Sequence, residues 1–252
     1  MNVKKITLMI VGLLFCLCSE AKSPTALNTN LQGGLGVSQT RVIINAGSSG
    51  GTVNLHNYGD RPWLIRGRVT TAPGNDKSGP FTITPPLFRM ESDGSYMVRV
   101  MPQGAQVLPT DRESVFYISF LAIPPSPPPG DYGADEGIAA QVTIGVDTVM
   151  KLFYRPQKLA MTSQEAAKKL TFHYTNSQVT VANPTPYWLT LSSLSFNGKT
   201  QDMRNVNNMI APYSEQQFAQ EKLPREVSWT VINDYGGNSP QYRAMVETEE
   251  TS

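Results

Sequence analysis

The stretch AAQVTIGVDTVMKLFYRP, residues 139–156, alternates Val142, Ile144 and Val146 with Thr143, Gly145 and Asp147 before it closes on the apolar block KLFYRP. Alternation with a period of two is the mark of a strand with one buried face. Ala140 and Ile138 extend the apolar row upstream, and a Pro- and Gly-rich segment, PPSPPPGDYGADEG (124–137), precedes it. Such a loop is longer than a hairpin needs. From periodicity alone the row faces the core of its own domain, and a second reading has it meet another molecule.

The same kind of signal recurs along the chain: TRVIIN, GTVNLHN, PWLIRGRVT, SYMVRVM, SVFYISFLAI, QVTVAN, YWLTLSSLSF and VSWTVIND, parted by Gly, Pro, Asn and Asp clusters. Many short strands with regular turn signals point to an all-β fold built of sandwiches. Only Gln164 to Leu170 has helix-forming character. The five residues GSSGG (47–51) sit between two strand signals and lack the Lys-Ser/Thr of a phosphate-binding loop, so they read as a hairpin turn.

Lys4 and Lys5, an apolar run from Ile6 to Leu17 and the small residues around Ala21 read as a secretory signal peptide, residues 1–21. Residues 22–34 read as a flexible leader. The rest of the chain is long for one sandwich and comfortable for two, with the boundary where KLFYRP stops at Pro156: a first domain over 35–156 and a second over 157–252. No later segment is apolar for long enough to span a bilayer, so no stable membrane insertion is expected.

The 252 residues carry a formal net charge of +1, which balances at zero once Lys4, Lys5 and Glu20 leave with the signal peptide. Nothing in that balance points to nucleic acid. Both cysteines, Cys16 and Cys18, lie in the segment to be removed, so the mature chain holds no disulfide or thiolate metal site. His56 and His173 stand in separate domains without ligand spacing, and there is no G-x-S-x-G elbow. No catalytic residue, metal or cofactor is expected.

Six motifs occur in order: TRVIIN (40–45), ITPPLFRMESDG (83–94), LPTDRESVFYISFLAIPP (108–125), KLFYRP (151–156), NPTPYWLTL (183–191) and INDYGG (232–237). The set resembles the periplasmic chaperones of chaperone–usher pili, and it spans nearly the whole chain after the signal peptide. The resemblance implies two immunoglobulin-like β-sandwich domains arranged as a boomerang. It implies a periplasmic, non-enzymatic chaperone that binds pilus subunits, completes their fold with a donated strand and delivers them to an outer-membrane usher. By motif position, Arg41 and Lys151 are then the pair that anchors the subunit's C-terminal carboxylate. Ile138, Ala140, Val142, Ile144 and Val146 are the donor strand, which fits the second reading of the apolar row. Glu113, Arg155 and Asp234 are an interdomain ion network.

In a flat strand Val142, Ile144 and Val146 point away from the face of Lys151, and a bulge or the strand's twist would be needed to reconcile them. The loop before the row is on the long side for the family, yet the cysteine pair usual in long-loop members is missing, so the subfamily stays open. Self-pairing of the free chain through the same strand is a further partner the pattern allows. The rival readings are a secreted two-domain immunoglobulin-like adhesin, which gives Arg41 and Lys151 no task, and a β-sandwich hydrolase, which needs a clustered acid, base and nucleophile that the sequence does not display.

Overall fold

The computed structural model describes residues 34–125, 145–203 and 206–248. The signal peptide, all of the leader but Gly34, and the donor-strand positions Ile138, Ala140, Val142 and Ile144 lie outside the described residues.

Among the described residues, nine strands form the first sandwich: β1 (Leu35–Val37), β2 (Arg41–Asn45), β3 (Gly51–Asn57), β4 (Trp63–Thr70), β5 (Phe81–Thr84), β6 (Leu87–Met90), β7 (Ser95–Pro102), β8 (Ser114–Ile123) and β9 (Val146–Arg155). One sheet runs β1-β3-β7-β5 and the other β2-β9-β8-β4-β6. Alternation in the sequence becomes inside and outside here. In β7, Val98 and Val100 are fully buried while Met97 and Arg99 are exposed; in β8, Phe116, Ile118, Phe120 and Ala122 all face inward. Val53 and Leu55 from one sheet, and Ile65 and Leu152 from the other, complete an apolar core. Each such side chain contributes about 1.5–3 kcal/mol by leaving water.

The GSSGG segment is not a hairpin turn. It carries the chain from β2, which pairs in parallel with β9, to β3 in the facing sheet. Gly50 has φ +123°, and a Cβ there would stand 2.2 Å from the Val100 carbonyl oxygen, so the crossing needs a glycine.

Within the described part of β9 there is also no bulge. Val146 to Tyr154 pair residue by residue with Ala122 to Ser114 of β8. Val146 therefore lies on the face of Met150 and Leu152, and Lys151 on the opposite face. No bulge in the described part of the strand brings them together.

The second sandwich follows a single-turn helix α1 (Ser163–Ala166), started by a capping box between Thr162 and Glu165. Its strands are β10 (Thr171–Thr175), β11 (Gln178–Asn183), β12 (Leu189–Phe196), β13 (Lys199–Thr200), β14 (Met209–Ile210), β15 (Ser214–Ala219), β16 (Glu226–Val231), β17 (Tyr242–Met245) and β18 (Glu247–Thr248). One sheet runs β15-β11-β10-β18, the other β13-β12-β16-β17 with β14 beside β12. Trp229 centres the core: its ring lies 4.9 Å from that of Phe172, and its indole N–H donates to the Ala167 carbonyl at 3.0 Å. A buried indole keeps its donor satisfied in this way. Tyr154 packs against the first core and Leu159 against the second.

Candidate functional site

Parallel pairing of β2 with β9 sets Arg41 directly opposite Lys151. Neighbouring strands lie about 4.8 Å apart, so two cations are held side by side. Tyr117 of β8 is the register partner of Lys151 on the other side.

Arg41 is 9% exposed. Its guanidinium donates to the carbonyl of Ile232 at 3.1 Å and lies over the ring of Phe153, 5.5 Å from the centroid. Its Nε is buried without a partner. Burial pulls the Arg41 pKa down, and the negative charges of Asp234 and Glu113 offset part of that. Burial and then the Arg41 charge also lower Lys151, and among the described residues no carboxylate offsets these effects. Two partly desolvated cations with too little countercharge are a site for an anion.

Below this pair, Arg155 at the end of β9 ties the two sandwiches together. Its Nε donates to Glu113 at 2.7 Å, and its two terminal nitrogens donate to the two oxygens of Asp234, each at 2.8 Å. The ring of Tyr187 lies 5.0 Å from the guanidinium carbon. Ser163 donates to Asp234 at 2.9 Å, and the Trp188 backbone N–H donates to Glu113 at 3.0 Å. The indole of Trp188 reaches the Glu113 carbonyl at 3.2 Å, while the Glu113 N–H donates to Pro186 at 2.8 Å. Neighbouring Arg112 stacks its guanidinium over Tyr213 of the second sandwich, 5.0 Å from the ring centroid.

The two carboxylates of this network shift in opposite directions. Burial pushes Glu113 up, and Arg155 and the Trp188 N–H recover only part of that. For Asp234 burial also acts upward, but the paired Arg155 hydrogen bonds and charge, with Ser163, outweigh it and hold the group below the usual range. The side-chain exposures explain the contrast, 2% for Glu113 against 32% for Asp234. Arg155 is raised: its burial acts downward and is overcome by both carboxylates.

Between the sandwiches a cleft of about 420 Å3 is lined from one side by Arg41, Phe153 and Arg155 and from the other by Tyr187, Ile232 and Asp234. Adjacent to it, β9 has an open edge. β2 covers only Lys151–Arg155, and among the described residues no strand pairs the far edge of Val146–Met150. Val146 and Val149 are 44% and 43% exposed there. Such an edge is a template for another chain.

The structure thus gathers Arg41 with Lys151, and Glu113 with Arg155 and Asp234. Sequence reasoning missed Trp188, Ser163 and the Ile232 carbonyl. The first lies in a quoted motif, NPTPYW, but a backbone N–H leaves no mark in a sequence. It also missed a cluster of acid, base and hydroxyl. His56 lies 2.9 Å from the Ser95 hydroxyl and 3.2 Å from the Asp93 carboxylate. That cluster sits outside the cleft, with Asp93 90% exposed, where water competes for each bond. Its bonds pin the turn that opens β7. Among the described residues no three His, Cys, Asp or Glu side chains gather to hold a metal, and no helix is long and apolar enough to cross a membrane.

Comparison with known proteins agrees on one family. Residues 34–160 match the pili and flagellar-assembly chaperone family, PapD N-terminal domain, and residues 165–243 match the pili assembly chaperone PapD C-terminal domain. The probable fimbrial chaperone protein ElfD of Escherichia coli O157:H7 is 37% identical over 213 residues, 83% of this chain and 86% of its own. The chaperone protein HifB of Haemophilus influenzae is 35% identical over 243 residues, 93% of this chain and 94% of its own. Among solved structures, a chain from the Salmonella enterica SafA pilin in complex with the SafB chaperone matches with a TM-score of 0.73 at 27% identity, covering 84% of this chain and 96% of that one. These relatives are named as chaperones, not enzymes. With both halves matched in order and the two sandwiches in place, the chain belongs to the PapD family of pilus-assembly chaperones, with two immunoglobulin-like domains.

Proposed function

We propose that this chaperone captures pilus subunits in the periplasm by anchoring the subunit's C-terminal carboxylate on Arg41 and Lys151. The observation that carries this reading is the cross-strand pair of partly buried cations beside a strand edge that no strand among the described residues pairs. A carboxylate supplies the missing countercharge, and each charge-assisted bond contributes about 1.5–3 kcal/mol. The subunit segment leading to that carboxylate runs along the open edge of β9 and completes its hydrogen bonds. The row Ile138, Ala140, Val142, Ile144 and Val146 fills a groove in the subunit in place of a missing strand, after which an outer-membrane usher receives the complex. Glu113, Arg155 and Asp234 hold the domains so that the cleft stays formed.

The test is periplasmic co-expression of the chain with a tagged pilin subunit from the same genome. Arg41→Ala and Lys151→Ala should each fold and melt near the parent yet recover little subunit. Normal recovery by both variants contradicts the anchor.

A further inference from the structure

The anchor is not built by the first domain alone. Arg41 has one of its five N–H donors on the carbonyl of Ile232, across the cleft. That carbonyl opens the loop Ile232–Gly237, which is closed on itself around Asn233. The Asn233 N–H donates to the Gly237 carbonyl at 2.8 Å, and the Gly236 N–H donates to the Asn233 carbonyl at 3.0 Å. The Asn233 side-chain oxygen accepts from the N–H groups of Tyr235 at 3.0 Å and Gly237 at 3.1 Å. One residue thus fixes four backbone groups, the local bonding by which Asn shapes turns. The loop is also held from outside, since its Asp234 takes two bonds from Arg155 and one from Ser163.

Its tip then approaches Thr40, the residue just ahead of the strand that bears the anchor. Gly236 has φ +85°, and a Cβ added there would stand 2.5 Å from the Thr40 hydroxyl, one residue before Arg41. A side chain at this position would have to displace the Thr40 hydroxyl just ahead of β2. Resting on the reading of Arg41 as the carboxylate anchor, we infer that the loop Ile232–Gly237 is a positioning element of the subunit site, with Gly236 setting its distance from β2 and Asn233 its shape. It presents the Ile232 carbonyl where it fixes the guanidinium, leaving the remaining donors oriented for the subunit carboxylate. Subunit capture in the first domain is thereby conditional on the docking of the second.

The test uses the full chain and the same co-expressed, tagged pilin subunit, with recovery normalised to folded chaperone. Gly236→Ala pushes the loop off Thr40 and should lower capture on the order of tenfold, the effect of misaligning one charge-assisted hydrogen bond. Thr40→Ala removes the atom that the new methyl meets, so Thr40→Ala/Gly236→Ala should regain capture to within about twofold of Thr40→Ala alone. The left-handed backbone strain is common to both Gly236→Ala chains, so a general loss of stability cannot mimic that rescue. In an Arg41→Lys background, where no guanidinium remains to be oriented, adding Gly236→Ala should change capture by less than about twofold. Parent-like capture by Gly236→Ala, failure of the rescue, or full additivity with Arg41→Lys would each overturn the inference. Undiminished capture by Arg41→Ala instead removes the anchor reading beneath it.

Discussion

Replacing Glu113 by Ala removes the most deeply buried member of the ion network. Its side chain is 2% exposed, and it accepts from Arg155 Nε at 2.7 Å and from the Trp188 N–H at 3.0 Å. Ala leaves Arg155 at 17% exposure with one charged donor unpaired, and it strands a backbone N–H of the second domain. Breaking one side of a buried ion pair costs about 3–5 kcal/mol. Asp234 still holds two of the three Arg155 bonds, so the lower end applies, about 3 kcal/mol. In a chain of this size that lowers the melting temperature by about 6–12 °C. The assay is a calorimetric melt beside the parent, with tryptophan fluorescence of Trp188 as a local probe of the domain contact. Subunit recovery per folded molecule should fall far less than in Arg41→Ala. A Glu113→Ala chain that melts with the parent would show that the network contributes nothing to the folded state.

Asp234 titrates below its ordinary value of 3.8 in the folded chain, so its stabilisation is complete above that pH and is lost as pH falls through the lowered value. An acid melt series should show the parent losing stability relative to Asp234→Asn below pH 3.8, and parallel curves there contradict the assignment. Lys151 is depressed below 10.5, and carboxylate capture needs its charged form, so capture should weaken with rising alkaline pH before an ordinary lysine would discharge. A Lys151→Arg chain whose capture falls over the same pH range as the parent's argues against Lys151 as the titrating group. Val146→Asp alters a side chain 44% exposed at the open end of β9, so its melt should move by about 1–2 kcal/mol equivalent, short of unfolding, while subunit capture is lost. Unfolding of that variant would instead assign Val146 to the chain's own core.

The strands were legible because burial here follows a period of two. Val98 and Val100, or Phe116, Ile118 and Phe120, alternate in the sequence as they do in space. Pro124 and Pro156 likewise mark where β8 and β9 stop, since proline lacks the ladder's donor. The sheet switch at GSSGG was not legible, because Gly and Ser permit a hairpin and an inter-sheet crossing equally. The side of β9 that carries Val146 followed from parity alone, but the absence of a bulge required the ladder with β8. Of the site, charged side chains within ordered motifs were readable. The Ile232 carbonyl was not, nor was the Ser163 bond to Asp234 across 71 residues, because a backbone acceptor and a distant hydroxyl impose no spacing on the sequence.

The most direct measurement is a crystal structure of this chain bound to one of its pilin subunits. The subunit's terminal carboxylate oxygens should lie about 2.7–3.2 Å from nitrogens of both Arg41 and Lys151, with the adjoining subunit backbone paired along Val146–Met150. A subunit whose carboxylate lies elsewhere, with Arg41 and Lys151 facing solvent in the complex, would rule out the anchor.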